Sequence, residues 1–274
     1  MEHSTMTIRI ILAGATGWVG RALVAAIAEA GDLALVGAVA RNAAGQDAGE
    51  AAGLGQRLGV TVSATLNDAL ETPCDVVIDY TKPDIVKHHA LTALAHRRHV
   101  VIGTSGLSAD DYARIHTAAE AQGCGVLAAG NFSITATLMR RFALIAAQYV
   151  PDVEIIDYAS AKKADTPSGT ARELAELMGE VRRPGTARAV EELSGVRETR
   201  GGAIGAPIPV QVHSVRMPSF TLSCEVILGA DNERLTIRHD AGASAAPYVA
   251  GTLLAARRVG SFVGLKRGLD AVMG

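Results

Sequence analysis

The stretch ILAGATGWVGRAL, Ile11 to Leu23, places Gly14, Gly17 and Gly20 between an apolar β-branched run and a helical pattern. Few chains tolerate three glycines at this spacing without a reason. Gly14 allows a tight turn, Gly17 lets a pyrophosphate approach the main chain, and Gly20 lets helix and strand pack closely. A glycine loop that leaves the first strand and opens the first helix is the mark of a doubly wound dinucleotide-binding sheet. The spacing here is G-x-x-G-x-x-G rather than G-x-G-x-x-G, but the physical demands are the same.

The first half of the chain carries that pattern forward. Strands are expected at Ile8–Leu12, Leu33–Ala40, Val76–Asp79, Val100–Ile102 and Val126–Ala128. Helices are expected at Trp18–Glu29, Ile85–His96 and Ala109–Gln122, and from Ser133, a good N-cap, to about Tyr149. Short β-branched runs alternating with helices imply βαβ units and a parallel sheet. The pattern then changes. Val153–Ala159 reads as a strand and Pro167–Met178 as a helix. A polar, glycine-rich stretch follows from Arg182 to Gly205, and then strand-like runs at Ile208–Val215, Phe220–Leu228 and Arg234–His239. Strands with short turns between them imply a mixed or antiparallel sheet. Ala245–Arg257 and Leu265–Met273 read as closing helices. The expected fold class is α/β: a Rossmann-type doubly wound parallel sheet plus a second α+β domain. Residues 1–131 would form the dinucleotide-binding domain, with 241–274 returning to it, and 132–240 a second domain.

Composition narrows the function. The 274 residues are 49% hydrophobic, with a formal net charge of -2. Near-neutrality gives no footing for nucleic acid, and no apolar run is long enough to span a bilayer. Cys74, Cys124 and Cys224 have no paired spacing, so neither disulfides nor a metal site is expected and a reducing cytoplasm fits. The amino-terminal residues lack the pattern of a signal peptide. Met6 is an alternative to Met1 as the native start, because TIRIILAG reads as a first strand.

Arg41 and Asn42 end the second strand, where a fold of this type that prefers NAD carries Asp or Glu for the ribose hydroxyls. An arginine there suits a 2′-phosphate, so NADPH is expected to be preferred, with NADH possible. Later strand ends carry Gly103-Thr104-Ser105-Gly106 and Gly130-Asn131-Phe132-Ser133, small or special residues facing the same crevice; Thr81 and Lys82 follow a third strand. His88, His89, His96 and His99 show no metal-ligand spacing and read as surface or edge residues.

The segment YASAKKADTPSGTA, Tyr158 to Ala171, ends at a helix start. The amides of Ser168, Gly169 and Thr170, with two hydroxyls, can hold a carboxylate at the positive helix end. A lysine beside such a site either pairs with the anion or gives a proton to a nitrogen or oxygen as hydride arrives. Solvated surface lysines ahead of a capped helix are the plain alternative. His213, His239 and Arg216 are further candidates for facing the substrate.

The blocks GATGWVG, DAGEAAG, VIDYTKP, VIGTSG, AGNFS, KADTPSGTA, HSVRMP and LTIRHD run through nearly the whole chain. Together they resemble the dihydrodipicolinate reductase family, also called 4-hydroxy-tetrahydrodipicolinate reductase. The resemblance implies reduction of a cyclic imine-type dicarboxylate with NADPH or NADH, in diaminopimelate and lysine synthesis, by a homotetramer, and it makes 132–240 the substrate-binding and oligomerisation domain. It implies cofactor contacts from Gly14, Ala15, Thr16, Gly17, Trp18, Val19, Arg41, Gly103–Ser105 and Ala129–Phe132. It makes Lys163 the proton donor and Gly169 and Thr170 the carboxylate-binding pair. The family pattern has two adjacent histidines, one proposed as its acid–base residue, where this chain has Ala159 and Ser160. Ser160 retains one hydrogen-bonding group for substrate. Three readings stay open: an orthodox reductase, a paralogue acting on another imino or enamine carboxylate, and a catalytically silent NADPH sensor.

Overall fold

The computed structural model describes residues 7–274, so Met1 and Met6, the alternative starts, lie outside the described residues. Two units form: one takes in the described residues up to Ile134 together with Ala245–Gly274, the other Thr135–Ser244. Among the described residues no helix is long and apolar enough to cross a membrane.

The first unit is built on strands β1 (Ile8–Ala13), β2 (Leu33–Val39), β3 (Val62–Ser63), β4 (Val76–Asp79), β5 (His99–Ile102) and β6 (Gly125–Ala128), with β12 (Gly264–Arg267) added from the far end of the chain. Their order is β12-β6-β5-β4-β1-β2-β3, and every pairing is parallel. The direction of winding reverses between β1 and β4, which opens a crevice at their carboxyl ends. Side chains of β1 alternate between two cores. Ile10 and Leu12 pack with Leu23, Val24 and Ile27 of α1 (Trp18–Glu29) and Leu253 and Ala256 of α8 (Ala246–Arg258). Ile11 and Ala13 pack with Val86 and Leu94 of α4 (Pro83–Ala95) and Ile115 of α5 (Ala109–Gln122). Full burial of each such aliphatic contributes roughly 1.5–3 kcal/mol, so both faces of the sheet are covered. Two short helices, α2 (Ala48–Ala52) and α3 (Leu66–Ala69), flank β3.

The second unit is a five-stranded mixed sheet in the order β11-β10-β7-β9-β8. Its strands are β7 (Asp152–Ala159), β8 (Gly202–Ile204), β9 (Val210–Arg216), β10 (Leu222–Ala230) and β11 (Glu233–Ala241). Only β7 and β9 pair in parallel. Period-two alternation sends Val153 and Ile155 of β7, with Val212, Val226 and Leu228, under α6 (Ile134–Ala147) and α7 (Gly169–Val181).

Several expected elements differ in kind or in where they begin. Leu265–Met273 is not a helix: β12 pairs with the edge of β6, and Gly268, at φ 86°, ends it before a single 3-10 turn, Leu269–Val272. The Leu265, Leu269 and Val272 spacing that suggests a helix reflects burial of a strand and then a turn. Helix α7 begins at Gly169 rather than Pro167, because Ser168 is extended and its hydroxyl accepts the Ala171 amide. Helix α4 begins two residues earlier than expected, with Pro83 in the first turn, where a missing N–H is harmless.

The glycine loop is shaped by contact. Gly14 has φ +85°, and a Cβ there would meet the Tyr80 carbonyl at 2.5 Å. A Cβ on Gly20 would lie 2.0 Å from the Gly14 carbonyl oxygen. Gly20→Ala is therefore expected to force the loop off the helix and to lower stability by about 1–3 kcal/mol. Chemical denaturation checks this, and an unchanged midpoint would contradict it.

Candidate active site

In the first unit a cavity of about 730 Å³ opens at the carboxyl ends of β1, β2 and β4. Gly14, Thr16 and Gly17 form one wall, and Arg41 and Asn42 another. Arg41 opens a 3-10 turn directly after β2 and is exposed, with its guanidinium available to a ligand phosphate. Arg21 Nε donates to the Thr16 carbonyl at 2.9 Å and steadies the loop. The third wall is Thr81 and Lys82 with His88, His89 and Thr92 of α4. The size, the glycine wall and the flanking cations fit a nucleotide.

Behind this wall lies a polar cluster. Asp79 ends β4 and is 1% exposed. Its Oδ1 accepts the Thr81 amide (2.9 Å), the Thr81 hydroxyl (2.6 Å) and the Thr104 hydroxyl (3.3 Å). Its Oδ2 lies 2.7 Å from His89 Nδ1. A carboxylate so placed accepts a proton-bearing Nδ1, which fixes the ring and leaves Nε2 as the second polar position. The reading of these histidines as surface or edge residues is thus corrected for His89, which is half-buried and tied to Asp79; His88 is exposed at the same cavity wall. The signal was present in the sequence. Ile85, His88, His89 and Thr92 recur at helical spacing and make one face of α4.

The other expected cofactor residues are distributed along the same strand ends. Ala15 is buried, Val19 packs against the core, and Trp18 is exposed, edge-on to Tyr248 at 5.7 Å. Gly103 lies against the Tyr80 ring, Thr104 is tied to Asp79, and Ser105 is exposed. Ala129 is buried and Gly130 exposed. Asn131 Oδ1 accepts the Ser133 amide, and buried Phe132 stacks at a tilt on Tyr80, centroids 6.1 Å apart. Gly103–Ser105 and Ala129–Phe132 follow β5 and β6 and do not line the 730 Å³ cavity.

In the second unit the loop between β7 and α7 gathers the expected substrate residues. Lys163 Nζ is 2.8 Å from Asp165 Oδ1, and the lysine holds the Asp165 carboxyl below its usual range. The amides of Gly169 and Thr170 make no hydrogen bond among the described residues, and the space around Gly169 is open. As the first amides of α7 they point along the positive helix end. Ser168 behaves differently. Its amide donates to Asp157 Oδ2 at 2.8 Å and its hydroxyl to Asp157 Oδ1 at 2.6 Å. Both of its donors are occupied, so the expectation that Ser168 donates to a substrate carboxylate is corrected, and the amides left open are those of Gly169 and Thr170.

Ala159 is fully buried on the helix-covered face of β7. Ser160 is half-buried; its amide donates to the Thr221 carbonyl and its hydroxyl accepts the Lys162 amide at 3.4 Å. Arg216 is likewise not free: it donates to Asp157 and to the Asp165 carbonyl. His213 pairs with Glu154 at 2.7 Å, and Arg200 pairs with the same carboxylate. His239 contacts Thr135, and burial lowers its pKa. The three cysteines are free and buried. Burial pushes the Cys74 thiol up to about 11 and the Cys224 thiol to about 12, so neither supplies a thiolate.

The chain is similar to known proteins along both of its halves. Residues 8–132 match the family model for the dihydrodipicolinate reductase N-terminus, and residues 134–270 the one for its C-terminus. A 4-hydroxy-tetrahydrodipicolinate reductase of Desulfitobacterium hafniense is 38% identical over 96% of this chain and 97% of its own. That of Synechococcus elongatus is 39% identical over 97% and 98%. Among solved structures, dipicolinate-bound dihydrodipicolinate reductase from Paenisporosarcina sp. TG-14 superposes with a TM-score of 0.86 at 29% identity, over 98% of this chain and 100% of the other. An amine dehydrogenase from Mycobacterium smegmatis, 15% identical with a TM-score of 0.64, shares the fold alone. Matched along both halves and over nearly its full length, the chain belongs to the dihydrodipicolinate reductase family.

Proposed function

We propose that the protein is a 4-hydroxy-tetrahydrodipicolinate reductase: an NADPH-preferring oxidoreductase that reduces a cyclic imine or enamine dicarboxylate in diaminopimelate and lysine synthesis. The observation that carries this reading is the retained Lys163 beside the open Gly169 and Thr170 amides. The nicotinamide, when bound, supplies a hydride to the unsaturated ring. Gly14, Thr16 and Gly17 receive the pyrophosphate, and Arg41 the 2′-phosphate. The amides of Gly169 and Thr170, with the Thr170 hydroxyl, hold one substrate carboxylate. Lys163 gives its Nζ proton to the ring nitrogen. Asp165, 2.8 Å from Lys163 Nζ, holds the lysine side chain near the loop until substrate arrives, and Ser160 offers one further hydrogen bond.

Ala159 and Ser160, in place of the histidines that the resemblance implies, favour a second reading in which the ring reduced differs from that of the family's usual substrate. The persistence of Lys163 and of the amides argues against a silent sensor. The outer face of the five-stranded sheet carries half-buried Ile156, Val215 and Ile227 among paired charges such as Arg238 with Glu225. Such a face supports assembly into a homotetramer through this unit. The composition and the redox state of the thiols are in keeping with a cytoplasmic enzyme.

Arg41→Asp is expected to weaken NADPH about tenfold or more while sparing NADH. Equal affinities for the two cofactors in the unmodified protein would sink this. In assays of NADPH oxidation, Lys163→Ala should lower kcat by about a hundredfold, the usual scale for loss of a general acid. Thr170→Val should mainly raise KM, because it removes a ground-state contact. Full activity in Lys163→Ala would remove the lysine from the mechanism. Light scattering at micromolar concentration should give four times the chain mass; a stable monomer would contradict the assembly.

A further inference from the structure

Asp157 is fully buried, yet its carboxylate sits at the start of α7, directly behind the amides proposed to bind substrate. It accepts from the Ser168 amide and hydroxyl, from Ser214 Oγ at 3.3 Å and from Arg216 Nη2 at 2.7 Å. Arg216 Nη2 also donates to the Asp165 carbonyl at 2.8 Å, and Nη1 to the main-chain oxygens of Asp157 and Val215. One guanidinium therefore joins β7, the end of β9 and the loop that carries Lys163. The other charged groups of this region are answered or turned to solvent. Lys163 pairs with Asp165, Arg140 with Glu173, and Lys162 and Arg172 are exposed. Cys224, opposite Asp157 in the sheet, stays a neutral thiol.

A bare carboxylate in this position would oppose the function of the helix start. Consecutive residues are about 3.8 Å apart, so an anion on the Gly169 and Thr170 amides lies within roughly 8 Å of Asp157. That is inside one Debye length, and the Asp157 end of the interaction is fully buried, which weakens screening. We propose that Arg216 is the counter-ion that cancels Asp157 and so leaves the α7 start positive toward an anionic substrate. It acts as a positioning and charge-setting residue without touching the substrate. The inference rests on the reading of Gly169 and Thr170 as the carboxylate site.

The charge account predicts opposite signs for the two members of the pair. In Arg216→Met the Asp157 charge is uncovered. In Asp157→Asn the positive charge is uncovered instead. An asparagine oxygen can keep the Ser168 amide and Arg216, while its amide group donates to a reversed Ser168 hydroxyl, so the packing is retained. Calorimetry with dipicolinate, on the full-length NADPH-loaded protein, reads the result. Arg216→Met should weaken dipicolinate roughly tenfold or more, and Asp157→Asn should tighten it severalfold. The double variant should return to within about threefold of the unmodified protein, and NADPH affinity should stay constant throughout. If Arg216→Met does not fold, Asp157→Asn and the double variant decide the matter. Weakening in Asp157→Asn, or a double variant as weak as Arg216→Met, would reduce the pair to a scaffold and overturn the proposal. Failure of the unmodified protein to bind dipicolinate would instead overturn the carboxylate reading of α7 and the proposal together.

Discussion

A carboxylate with no access to water governs the chemistry-bearing half of this chain. Asp157 lies in the row Val153, Ile155, Asp157, Ala159, the face of β7 covered by helices. An apolar layer rejects a charge unless several donors converge on it. Here Ser168, at the start of α7, and Ser214 and Arg216, on β9, do so from two segments far apart in the chain. The consequence is architectural before it is chemical. The loop from Ala161 to Ser168 is pinned at its end, α7 starts at a fixed residue, and Lys163 is carried at a set distance along the chain from the first free amides. Packing of Ala171, Leu174 and Met178 then holds the helix on the sheet.

The first unit solves a parallel problem with backbone rather than charge. All its strand ends lie along one edge, and the reversal between β1 and β4 leaves room there. The closeness of Gly14, Gly20 and the Tyr80 carbonyl lets the main chain itself become the wall of the cavity. Asp79 binds the next two strand ends together through Thr81 and Thr104, and it orients His89 on the facing helix. Each unit thus has a buried aspartate whose oxygens tie neighbouring segments together at the end of a strand.

Much of this was legible in the sequence, for identifiable reasons. Strands β1, β4, β5 and β6 are short apolar runs buried on both faces, and the glycine spacing told which of them came first. A helix start close to Ser168 was legible because Pro, Ser, Gly and Thr have few other uses in that order, although the helix itself opens at Gly169 rather than Pro167. The rest depends on partners far apart in the chain. Strand β12 owes its conformation to the edge of β6, some 140 residues earlier, and its own side chains are equally compatible with a helix. Ser168 reads as an anion donor until Asp157, eleven residues before it, is seen to take both of its hydrogens. Arg216 reads as a substrate ligand for the same reason. His88 and His89 could have been found from their helical face, but only together with the strand ends that the face meets.

Transfer of hydride to a ring held by the α7 amides is the central claim, and isotope transfer tests it most directly. The protein would be incubated with NADPH deuterated at both C4 positions of the nicotinamide and with the product of dihydrodipicolinate synthase. Mass spectrometry of the reduced dicarboxylate is predicted to show one deuterium per molecule. Unlabelled or unreduced dicarboxylate, from protein saturated with NADPH, would contradict the account.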